Sequence, residues 1–89
     1  MQHCTEQQLN RLRPMGFDGH YIYDALDWIR ENKGVSGEVE SYFIFETPKF
    51  NIFILNLRNG DKRRPFQHPR FHTHSEALTA LLDAILEMI

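Results

Sequence analysis

At 89 residues, with 42% hydrophobic and 25% charged side chains, the chain has enough apolar material for one small domain and too much for a disordered segment. A single cysteine, Cys4, excludes an internal disulfide. No apolar run of about 18 residues exists to cross a bilayer and the first residues lack the core of a secretion signal, so a cytoplasmic protein without a membrane segment is expected. The net charge of −2 is unevenly spread: residues 18–46 set seven acids against two bases, and residues 58–74 set Arg58, Lys62, Arg63, Arg64 and Arg70 against Asp61 alone.

In chain order, Thr5 with Gln8 three residues on forms a capping box for a short first helix that Pro14 and Gly16 end. Residues 1–14 are expected to be a loosely attached short helix of a single domain spanning 1–89. A second helix follows, with Asp18 as its N-cap, Phe17 stapled to Ile22, and Ile22, Ala25, Leu26 and Ile29 at helical spacing. Gly34 stops it. From Glu38 the period changes to two, with Val39, Phe43 and Phe45 on one side of a strand. A turn around Pro48 leads to "FNIFILNL", apolar on both alternations, which marks a central strand or one with a covered second face.

Asn59-Gly60 predicts a two-residue hairpin turn. The returning strand, about Lys62 to Phe71, carries Pro65 and Pro69 and belongs at a sheet edge. Thr73 and Glu76 form a second capping box, and "SEALTALLDAILEMI" is a helix interrupted only by the polar stripe Glu76, Thr79, Asp83 and Glu87. The fold class is α+β: about three antiparallel strands flanked by helices, in the order α-α-β-β-β-α, the first helix being the short one.

Three kinds of chemistry are conceivable on these elements. His68, His72 and His74 share a parity along the returning strand and offer a histidine metal site, although no cysteine or carboxylate completes the set locally. The capping box explains the same segment without a metal. Arg58, Lys62, Arg63, Arg64 and Arg70, with Phe66 and Phe71 nearby, offer a nucleic-acid grip. From the second helix onward the order α-β-β-β-α resembles that of double-stranded RNA-binding domains, but those carry lysines at the start of the last helix, where this chain has His74, Ser75 and Glu76. No phosphate loop, nucleophile elbow or HExxH motif is present, so neither an enzyme nor a cofactor is expected.

The segment from Ala25 onward, ending in Phe71, Thr73, Glu76, Ala77, Leu78, Ala80 and Leu81, resembles a loose class of small uncharacterised proteins of phages, prophages and conjugative elements of gut bacteria. These end in an F-x-T-x-x-E-A-L helix. The resemblance implies a mobile-element origin and no activity. The reading that follows is a small protein–protein interaction module, self-associating as a homodimer through the two-faced central strand and the apolar last helix. Phe53, Leu55, Leu86 and Ile89 would be its contact residues.

Overall fold

The computed structural model describes residues 1–89. The first capping box closes in both directions: Thr5 Oγ1 accepts the Gln8 amide at 3.1 Å, and Gln8 Oε1 accepts the Thr5 amide at 2.8 Å. Helix α1 (Glu6–Leu12) starts there and tightens into a 3-10 turn, Arg13–Met15, that ends on Gly16 at φ +110°. The loose attachment expected of residues 1–14 is corrected. Gln8 is buried, and its amide donates to the Thr79 carbonyl at 3.0 Å and to Asp83 Oδ1 at 2.9 Å, both on the last helix. A buried amide with every partner in place ties the first helix into the fold.

Helix α2 (Ile22–Lys33) begins four residues after Asp18, which does not cap it. The reason lies in the N-terminal segment, which takes over the work of a cap. The Cys4 amide donates to the His20 carbonyl at 2.8 Å and the Ile22 amide to the Gln2 carbonyl at 3.0 Å, holding the chain extended through Tyr21 until the helix begins at Ile22. Gly34, at φ +69°, ends α2 as expected.

The chain then forms one antiparallel sheet of β1 (Val35–Ile44), β2 (Thr47–Asn56) and β3 (Lys62–Arg63), in that spatial order. The element order is therefore α-α-β-β-β-α, an α+β fold, and the doubly apolar strand β2 is the central one. In β1–β2, Val39 lies opposite Ile52 and Ile44 opposite Thr47. Two expectations change here. Asn59-Gly60 belongs to a four-residue turn, closed by the Gly60 amide on the Asn56 carbonyl at 2.8 Å, with Gly60 at φ +78°. The returning strand is only two residues long, because Pro65 has no amide to continue the ladder; the chain touches the sheet again where Phe71 bridges to Phe50.

Helix α3 (His74–Met88) starts on Thr73, whose hydroxyl accepts the Glu76 amide at 3.1 Å. Glu76 does not return a bond, so this capping box is half formed. The core joins Ile52 and Ile54 of the sheet to Leu81, Leu82, Ile85 and Leu86 of α3, Ile22, Ala25 and Ile29 of α2, and Leu12. The shortest dimension of the molecule, 17 Å, admits one sheet and one helical layer. Helix α3 touches β1, β2, α1 and α2, so its nearly encircling apolar surface is used within the chain. Gly37 permits the approach of α3 to β1: a Cβ there would stand 2.6 Å from Leu81 Cδ1 and 3.1 Å from Ile85 Cδ1.

Candidate interaction site

The helical layer stops short of the sheet. His74, the first residue of α3, lies edge-on to Phe50 with ring centroids 6.0 Å apart, and Phe50 is opposite Ser41. Beyond that pair the β1–β2 hairpin has no helix beneath it, and residues 41–48 are all exposed. Phe43 keeps 74% of its surface in water and Phe45 keeps 96%, with Tyr42 and Ile44 exposed beside them. Of the residues expected on one side of this strand, Val39 packs against the core, Phe43, four residues farther out, passes its end, and Phe45 lies in the turn.

The turn is also displaced from Pro48, which is paired within β2. It is made by Phe45 and Glu46 at φ +49° and +60°, the left-handed pair that a two-residue hairpin requires and that Asn-Gly ordinarily supplies. Two L side chains in that region cost about 1–2 kcal/mol each. The most exposed aromatic ring of the molecule thus sits on its most strained backbone.

The edge of β1 is open. The Phe50 amide donates to Phe71 and the Asn56 amide to Asp61, both away from β1. By the alternation of an antiparallel ladder, the odd residues of β2 face β1 and bond its even residues. Gly37, Val39, Ser41 and Phe43 therefore turn their amides and carbonyls outward, and β1 has no strand on that side. The two edges differ in kind. At the other edge, β3 is two residues long, cationic and followed by Pro65, all devices that discourage strand addition. Ten-residue β1 contains neither proline nor lysine and ends in Tyr-Phe-Ile.

Behind the open edge, Glu40 is anchored. Arg64 reaches across the solvent face of β2 to grip both Glu40 oxygens at 2.9 Å, its guanidinium lying 5.6 Å from the centre of the Phe53 ring. The guanidinium's hydrogen bonds hold the Glu40 carboxyl below the usual carboxylate range and raise the Arg64 pKa in turn.

The other residues singled out in the sequence are dispersed. Lys62 and Arg63 are neighbours on one short strand and so point to opposite sheet faces. Arg58 lies against Gly34. Arg70 stacks on Phe66 at 4.5 Å. With the Arg64–Glu40 pair, two of the five cations, Arg64 and Arg70, are engaged within the chain. His72 faces Lys49 and His74 faces Phe50. With His68 they form no cluster, and no group of three histidine, cysteine or carboxylate side chains could hold a metal. The metal reading is corrected on that geometry.

Of the four expected contact residues, Leu86 is in the core at 1% exposure. Phe53 and Leu55 are half-buried on the solvent face of the sheet, whereas Ile89 is exposed at the end of α3, so the four make no common surface. Cys4 is buried, which pushes its thiol pKa up. The one signal for the hairpin tip in the sequence is the run Tyr42-Phe43-Ile44-Phe45 beside Glu46, with no turn residue to announce that the chain reverses there.

No helix is long and apolar enough to cross a membrane. Compared with protein-family models, curated proteins and solved structures, the chain matches none.

Proposed function

We propose that this protein is an interaction module whose contact surface is the outer half of the β1–β2 hairpin, and that what it binds is protein. One observation carries the reading. Phe43 and Phe45 stand in water at 74% and 96% exposure on a turn whose two residues are both left-handed. Full burial of a phenylalanine is worth about 1.5–3 kcal/mol, and backbone strain held at an exposed site is characteristic of binding positions. A surface that keeps both features is one that a partner covers. The open edge of β1 beside the tip adds main-chain hydrogen bonding, which suits an extended protein segment. The dispersed cations, two of them engaged within the chain, favour protein over nucleic acid as the ligand.

A photo-crosslinking phenylalanine analogue at position 45, in cells producing the chain, tests this directly. Irradiation is expected to yield covalent protein adducts from position 45 and none from the exposed helix position Glu31. Equal yields from the two positions would remove the hairpin as the contact surface.

A further inference from the structure

The open edge of β1 has a sequence that fits itself. Resting on the hairpin as the contact surface, we infer that the protein captured there is a second copy of this chain, joined β1 to β1 across a two-fold axis at Ser41 to make one six-stranded antiparallel sheet. Such an interface is isologous, so every residue must suit its own symmetry mate.

Five registers bring the outer part of the strand together, and charge and shape separate them. An axis at Val39 sets Glu38 against Glu40 twice. An axis at Glu40 sets that carboxylate against itself. An axis at Tyr42 brings Glu38 against Glu46. An axis at Phe43 leaves only the last residues paired. With the axis at Ser41, Val39 meets Phe43, Glu40 meets Tyr42 and Glu38 meets Ile44, so no like charges are opposed. Phe43 then covers Val39 of the second copy, extending a core that stops at Val39 in the monomer.

Ser41 is also the position where the main chain is ready. Val39, Ser41 and Phe43 are the residues whose amides and carbonyls face outward, so the Ser41 register pairs Ser41 with itself and Val39 with Phe43 through these groups. Of the residues engaged, Tyr42, Phe43 and Ile44 lie beyond the start of α3, and α2 joins β1 at its inner end, Gly34. Glu40, held by Arg64 from its own chain, brings a neutralised carboxylate to the contact.

The register is read by disulfide trapping in a Cys4→Ala background. Opposed residues in a hydrogen-bonded antiparallel pair have Cα atoms about 5.5 Å apart, within the span of a disulfide. Ser41→Cys is expected to oxidise to a covalent dimer of twice the 10.6 kDa chain, and Tyr42→Cys, offset from its own mate, to stay monomeric. Ser41→Pro removes the outward amide and Ser41→Lys places two cations on the axis. Each should lower self-association at least tenfold in sedimentation while leaving the circular dichroism spectrum unchanged; Ser41→Lys decides if the proline variant fails to fold.

Position-45 adducts of other masses, with a chain that sediments at 10.6 kDa throughout, would overturn the second copy and keep the hairpin. A dimer that forms without Ser41→Cys trapping, and that tolerates Ser41→Lys, would overturn the strand pairing. An absence of adducts from position 45 would remove the hairpin itself.

Discussion

Thr73 shows how much a single side chain sets at the start of α3. Its hydroxyl takes the Glu76 amide at 3.1 Å, whereas His72 and His74 beside it lie exposed, one toward Lys49 and one against Phe50. Thr73→Ala is expected to lower unfolding free energy by about 1 kcal/mol in urea titration. His72→Ala and His74→Ala should each stay within about 0.5 kcal/mol of the parent, as surface changes do. At Glu40 the effect is one of pH. The unfolded carboxyl has a pKa near 4.3, and Arg64 holds the folded one lower, so the folded state binds its proton less readily. The stability this pair contributes is fully present above the unfolded pKa and is lost as pH falls through the folded one. Thermal unfolding of Glu40→Gln, followed from neutral pH into acid, should fall less steeply than that of the parent over that window.

At the scale of the element, the hairpin combines two opposed tendencies. Its ten-residue strands pair in full register from Val35 to Ile44, yet its turn has two residues in a conformation suited to glycine and asparagine. Replacing them by Phe45→Asn with Glu46→Gly should raise stability by about 1–2 kcal/mol in urea titration, since the left-handed cost is relieved. The same pair should weaken self-association, because Phe45 is gone; a double variant both more stable and more strongly associating would contradict the role given to the tip. Such an exchange of stability for contact is common where strain sits at a binding position.

The elements themselves were legible wherever local chemistry decides. Thr5 with Gln8, Gly34, the two-sided strand β2 and Thr73 all behave as their neighbours in sequence imply. What was not legible depends on distant partners. Asp18 does not cap α2 because Gln2 and Cys4, brought close only by folding, hold the chain extended ahead of it. Leu86 reads as free apolar surface until α1, pinned by Gln8, is seen against α3. Phe43 reads as core by its parity with Val39. Only the level at which α3 begins, beside Phe50, places it in water, and no periodicity carries that information. The turn at Phe45-Glu46 lacks a turn residue of its own, so the sequence places the reversal at Pro48, two residues past the true tip.

For the whole molecule, association and stability must be linked. A two-fold pairing of β1 strands binds the folded chain and not the unfolded one, so its free energy adds to folding by mass action. The proposed contact is short, running from Gly37 to Phe45 of each copy, and belongs with small interfaces of modest affinity, with a Kd of about 1–100 μM. Below that range the chain unfolds as a monomer, and above it each tenfold rise in protein concentration should raise the unfolding midpoint. For a domain of this size, 1 kcal/mol of added stability moves the midpoint by about 4–8 °C, a shift that calorimetry resolves. Phe43→Ser with Phe45→Ser, both at exposed positions, should leave the dilute midpoint unchanged and abolish its rise with concentration. Amide exchange gives the same answer residue by residue. In the monomer the outward amides of Val39, Ser41 and Phe43 are expected to exchange rapidly and those of Glu40 and Tyr42, facing β2, to be protected. Raising the concentration through the Kd should slow exchange at Val39, Ser41 and Phe43 and leave Glu40 and Tyr42 where they were, because only the outward set gains a partner strand. Protection that grew uniformly along β1 would instead indicate general stiffening of the hairpin, and protection that grew on α3 would move the contact to the other side of the molecule.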